Sequence, residues 1–273
     1  MENEAIIRLS GFIGVLLCML LCERFWPRRT WRQGRLQRFA INFSLIALSG
    51  VLQRLTLGAA AVAMAIYAQA HGWGLLNQIE LPFWLMLLVG ILLLDLAIYL
   101  QHVVFHKVPW LWRLHQVHHA DLDLDATTGL RFHPIEILLS LMIKVVVVAA
   151  LGISPWVVII FEVLLNASSM FNHSNLRLPE AVERRLRWLI VTPDMHRIHH
   201  SVHRVETDSN YGFFLSIWDR IFKSYTETPR DGHTTMVLGL DYAQQPDKLQ
   251  LQHLLMMPFT LKPSSVHQIS DKH

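Results

Sequence analysis

The sequence predicts an all-α integral membrane protein with about four to five transmembrane helices and a cytoplasmic helical cap carrying clustered histidines. Three observations predict it. Hydrophobic residues make up 52% of the chain and charged residues only 16%, against about 25% charged in soluble domains. Apolar runs long enough to cross a bilayer recur up to residue 171. The histidines gather in the polar sequence at the ends of those runs. The formal net charge is only +3, and nucleic acid is not expected as a partner.

The first run, Ala5 to Leu21, follows Glu2 and Glu4, with neither a basic leader nor a small-residue cleavage site, so it reads as a retained membrane helix. A second apolar region, Ala40 to Ala70, is interrupted at Gln53 and Arg54, where a kink or break is expected. A third extends from Pro82 to about Leu100. Ile135 to Leu151 and Pro155 to Phe171 form a helical hairpin around Gly152 and Pro155. At about 1.5 Å per residue, each hairpin arm is about 26 Å long, just enough for a hydrocarbon core. Lys144 and Glu162 fall at similar depth in the two arms and are expected to pair. The chain divides into an N-terminal transmembrane region (1–81), a histidine-bearing domain (82–226) and a polar C-terminal tail (227–273).

Charge orients the spans. "PRRTWRQGRLQR" after the first helix holds five arginines, whereas "HGWGLLNQIEL" before the third holds no Lys or Arg. The positive-inside rule then puts the arginine segment, and every histidine cluster, on the cytoplasmic side. Cys18 and Cys22, the only cysteines, lie in an apolar run and suggest neither a disulfide framework nor a metal site.

His102 and His106 are four apart. His115, His118 and His119 are spaced i, i+3, i+4, and so are His196, His199 and His200. On a helix, residues at these spacings share a face, so each group can aim several imidazoles at one place. Asp95, Tyr99, His102 and His106 form one stripe, which makes Asp95 a candidate carboxylate behind a ligand histidine, with Tyr99 beside it. These eight histidines exceed the four ligands of one tetrahedral zinc and suit two metals. Imidazole accepts zinc, copper, iron or nickel, so spacing alone does not name the ion. His203 continues the face of His199 and His200. Asp121, Asp123 and Asp125 resemble the start of a calcium loop, but Ala126 and Phe132 stand where that loop needs Gly and Glu. A helix N-terminal or cytoplasmic surface role is expected for them instead.

The strings "DLAIYLQHVVFHKVPWLWRLHQVHHADLDLDATTGLRFHPIE", "FNHSN" and "TPDMHRIHHSVHRVETDSNYGFFLSIWDRIF" resemble the fatty acid hydroxylase and sterol desaturase superfamily over residues 90–225. The resemblance implies two iron ions held by histidines at the cytosolic face, with O2 as co-substrate and a membrane lipid as substrate. Carried onto this chain, the ligands are His102, His106, His115, His118, His119, His173, His196, His199 and His200, with His133 as a ligand or a supporting residue. Hydroxylation is preferred over desaturation. Oxidation of an unactivated C–H bond needs a cofactor, because side chains cannot supply the oxidant. No G-x-G-x-x-G occurs, so electrons are expected from a separate reductase with a cytochrome b5-like or ferredoxin-like protein. The compact chain suggests a bacterial inner membrane in preference to the endoplasmic reticulum. The competing reading is a histidine-rich metal transporter or a zinc-dependent membrane protein. A transporter would place its ligands near the bilayer midplane, which the positions of these boxes oppose.

Overall fold

The computed structural model of the chain describes residues 4–260; Glu2, His267 and His273 lie outside them. In chain order the helices are α1 (Glu4–Phe25), α2 (Arg35–Thr56), α3 (Ala60–Ala70), α4 (Phe83–Lys107), α5 (Pro109–His119), α6 (Pro134–Leu151), α7 (Pro155–Asn172), α8 (Glu180–Leu186), α9 (Pro193–His199), α10 (Arg204–Thr207), α11 (Ile217–Ile221) and α12 (Leu251–Thr260). Among the described residues there is no β-sheet, only three isolated bridges.

Five segments are long and apolar enough to cross a membrane: Ile6–Phe25, Arg35–Gln78, Phe83–Lys107, Pro134–Leu151 and Pro155–Asn172. Between 11% and 44% of each is buried within the protein. Their outward faces carry exposed Leu9, Leu17, Phe83, Trp84, Leu88 and Val146, an apolar belt suited to lipid. The break in the second region falls at Gly58 (φ 53°), between α2 and α3 and beyond Gln53 and Arg54. Helix α4 runs on to Lys107, seven residues past the apolar run, because His102 and His106 continue the helix as buried residues.

Proline at the first position opens α5, α6, α7 and α9, where the missing N–H costs nothing. Gly152 closes α6 in the left-handed conformation at φ 68°. A Cβ on Gly74 would lie 2.1 Å from the Gly152 nitrogen, so the loop after α3 packs directly on the hairpin turn. Ala61, Ala65, Leu94, Leu141, Val157 and Phe161 fill the core between α3, α4, α6 and α7. Across the hairpin, Lys144 Nζ donates to Glu162 at 2.8 Å, as expected, and Arg8 from α1 joins the same carboxylate at 2.6 Å.

Two expectations are corrected. Asp121, Asp123 and Asp125 are buried, not at the surface. Arg38 from α2 bridges Asp121 at 2.8 Å and Asp125 at 2.5 Å, and Asp123 accepts the backbone N–H groups of Arg32 and Gln33. The region expected to be a polar tail packs into the protein as far as α12: Leu240, Leu249, Leu254 and Met257 share a core with Leu45, Trp112 and Val117. Asp241, Gln245, Asp247 and Lys248 stand exposed between the buried positions and mask that pattern.

Candidate metal centre

The histidines meet at one end of the spans. His102 and His106 sit in the last turns of α4, His115, His118 and His119 in α5, His173 just after α7, and His196, His199 and His200 in and after α9. They form two buried groups. His102, His106, His115, His119 and His199 make one, and His118, His173, His196 and His200 the other, with the candidate ligand atoms of each group all within 4.8 Å of one another.

Proton positions on these rings follow from their partners. His102 donates its Nδ1–H to the Tyr211 carbonyl at 2.6 Å, and His199 donates to the Ser209 carbonyl at 2.7 Å. His115 donates to Glu136 Oε1 at 2.6 Å. The Nε2 of each ring is therefore an unprotonated lone pair. Yet His102 Nε2 lies 3.1 Å from the Nε2 of both His115 and His199. In the second group His118 donates to the Arg131 carbonyl and His173 to that of Ser169, and their Nε2 atoms stand 3.0 Å apart. Lone pairs at this distance with no proton between them repel; a cation among them turns the repulsion into coordination. Nitrogens held about 2.1 Å from one ion at right angles lie about 3.0 Å apart. Both ring nitrogens of His106 and His200, and Nε2 of His119, are buried without any hydrogen-bond partner, as suits nitrogens whose partner is a cation. The residues fit two metal ions.

Electrostatics hold the rings neutral. Burial pushes His115 down to about 3 and His173 down to about 4. Burial first, then the neighbouring imidazoles, keep His118, His119, His196, His199 and His200 well below the ordinary 6.5. Neutral imidazole is the form that ligates.

The loop after α10 shapes the first group. Asn210 adopts a left-handed conformation (φ 50°), and its side chain donates to the Met195 and Thr226 carbonyls. That turn aims the carbonyls on either side of it, Ser209 and Tyr211, at His199 and His102.

The four accessory candidates lie apart from the two groups. Asp95 accepts from Leu215 N at 3.1 Å and Trp218 Nε1 at 2.8 Å, tying α4 to the segment leading into α11. The Tyr99 hydroxyl meets Ser224 Oγ at 2.7 Å. His203 pairs with Asp231 at 2.6 Å. His133 caps α6, its Nδ1 accepting from Ile135 N while Nε2 donates to the Leu255 carbonyl. The carboxylate behind a ring of the cage is Glu136, which sequence reasoning passed over. Its signal was an acidic side chain in the first turn of an apolar span.

A cleft of about 130 Å³ adjoins the first group. Its wall includes His102, His115 and Phe132, and it runs between α4, α6 and α7 past Ile98, Ile137 and Leu165.

Residues 87–224 match the fatty acid hydroxylase family, half of the chain and every histidine of both groups. The chain belongs to that family. It is 25% identical to an ornithine lipid hydroxylase of Rhizobium tropici over 82% of its own length and 68% of that protein. It is 30% identical to an alkylglycerol monooxygenase of Xenopus tropicalis over 81% of its length, and 28% identical to a cholesterol 25-hydroxylase of Rattus norvegicus over 49%. The chain spans about half the length of the alkylglycerol monooxygenases. No solved structure matches this fatty acid hydroxylase family member.

Proposed function

We propose that this chain is an O2-dependent lipid hydroxylase whose nine buried histidines hold two iron ions at the cytoplasmic face of the membrane. The observation that carries the reading is the convergence of unprotonated Nε2 atoms at 3.0–3.1 Å in two adjacent groups. Iron bound there would supply the oxidant for an unactivated C–H bond, drawing on O2 and two electrons from a separate donor protein. The protein's own contribution is positional. Carbonyls of Ser209, Tyr211, Arg131 and Ser169 fix the ring tautomers, and Phe132 stacks on His118 at 4.3 Å and keeps water from that ring. Entry through the cleft between α4, α6 and α7 brings a lipid chain to His102 and His115.

The relatives act, by name, on ornithine lipid, alkylglycerol and cholesterol, and their names favour hydroxylation over desaturation. A bacterial inner membrane is the expected location. The transporter reading is disfavoured: a transporter holds its ion near the bilayer midplane on broken helices, and here the histidines cluster at the ends of α4 and α7.

The test is metal stoichiometry on protein made with iron and purified without a histidine tag, followed by oxygen-18 labelling of extracted lipids. About two irons per chain and label from O2 in a lipid hydroxyl are expected, with both lost in His118→Ala while the protein still inserts. One zinc ion per chain, or none in folded protein, overturns the proposal.

A further inference from the structure

Three polar side chains line the cleft at one depth. Gln101 lies six residues before the end of α4, Ser140 six after the start of α6, and Asn166 six before the end of α7. Each is therefore about 9 Å along its helix from the end that faces the histidines, with Gln101 directly before His102. Polar groups at such depth are costly unless matched. Gln101 Nε2 donates to Ser140 Oγ at 2.9 Å, which would suffice for a tie between helices. That bond uses only one end of the amide. Gln101 Oε1 is sealed from solvent and has no partner. Asn166 makes no hydrogen bond among the described residues and stands exposed in the cleft wall. At their level the wall is otherwise apolar, with Ile98, Ile137, Leu165 and Phe213, while His102, His115, Glu136 and Ser169 also line the cleft. Two helices thus bring an unspent acceptor and a whole unspent amide to the wall of one cleft, beside the Ser140 hydroxyl of a third.

We infer that Gln101, Ser140 and Asn166 form a subsite that binds a hydroxyl or secondary amide carried within the lipid substrate, and so select hydrogen-bonding lipids over plain hydrocarbon chains. This rests on the reading of the cleft as the substrate passage. A hydroxyl suits the set: it accepts from the Asn166 amide and gives its proton to Gln101 Oε1, which has to turn from its sealed position toward the cleft to receive it. An ether oxygen or a bare methylene leaves the Gln101 acceptor unmatched, and an unmatched buried group carries its full desolvation cost.

The test uses the full chain in detergent, metal-free and iron-loaded, with hexadecan-1-ol and its methyl ether as probes in native mass spectrometry titrations. The alcohol is expected to bind about ten-fold more tightly than the ether, the scale of one buried hydrogen bond. Gln101→Leu and Asn166→Leu should each shrink that ratio toward one. Asn166→Leu alters an exposed position, so its result stands even if Gln101→Leu fails to fold. Equal binding of both probes to the unmodified protein, binding of neither, or a preference that survives both substitutions overturns the subsite. Because binding is read on metal-free protein, the two readings fail separately. An alcohol preference without lipid oxidation sinks the oxygenase reading alone; oxidation without a preference sinks only the subsite.

Discussion

Glu136 receives the Nδ1–H of His115 at 2.6 Å, and it is the only carboxylate within normal hydrogen-bond distance of any of the nine clustered imidazoles among the described residues. For His102, His118, His173 and His199 the same job is done by neutral carbonyls. A carboxylate makes the ring a stronger base and a stronger ligand, so the first group is electronically distinct from the second. Glu136→Ala should weaken metal binding by roughly 10- to 100-fold, read by chelator competition. Unchanged affinity would make Glu136 a feature of the cleft wall alone.

Asp95 serves as a contrast. Sequence spacing put it behind His102, but its Oδ2 binds Leu215 N and Trp218 Nε1. Asp95→Ala orphans two donors, each worth about 1–3 kcal/mol when buried. Thermal stability should fall while the number of metal ions bound per folded chain holds. Loss of metal with unchanged stability would return Asp95 to the cage.

The histidine groups were legible because three- and four-residue spacings survive folding: α5 and α9 are helices, and the spacing decides which rings share a face. The spans were legible from their apolar runs. The second tier was not. Ser209, Tyr211, Arg131 and Ser169 act through backbone carbonyls, which every residue possesses, so no side chain marks them. Only Asn210, a residue type that tolerates the positive φ it adopts here, hints in the sequence that the chain turns there. The aspartates were misplaced because each reads as a surface residue until Arg38, 83 positions before Asp121 and 87 before Asp125, is folded onto them.

That buried network is a stability element outside the histidine cluster. Arg38 is 2% exposed and Asp125 0%. Removing one partner of a buried pair leaves an uncompensated charge, at a cost of about 3–5 kcal/mol. Arg38→Met should therefore cut folded yield and lower the thermal midpoint sharply. Adding Asp121→Asn and Asp125→Asn should recover part of the loss, since the stranded negative charge is then gone. No recovery would mean that Arg38 acts through packing.

His133 separates capping from coordination. Its Nδ1 accepts the Ile135 N–H at 3.2 Å, a role that asparagine fills well. His133→Asn should keep the metal content and the cap, and lose only the bond to the Leu255 carbonyl, about 0.5–1.5 kcal/mol of stability. His133→Ala should lose about 0.5–2 kcal/mol more with the cap, with metal content intact. Loss of metal in the asparagine variant would place His133 among the ligands.

Acid should undo the cage from the histidine side. His115 and His173 are held at about 3 and about 4 in the folded chain by burial, against an ordinary value of 6.5. Below 6.5 the unfolded chain takes up protons that the folded chain refuses. By linkage, the stability these groups contribute is complete above about pH 6.5 and is lost progressively as pH falls toward 4 and then 3. The other rings, shifted the same way, steepen the loss. Metal-free protein should show a flat thermal midpoint above pH 7 and a continuous decline below 6.5. Iron release should follow the same window, since a protonated ring cannot ligate. A midpoint that is flat or rising between pH 6.5 and 4.5 would show that these imidazoles are not buried as neutral rings.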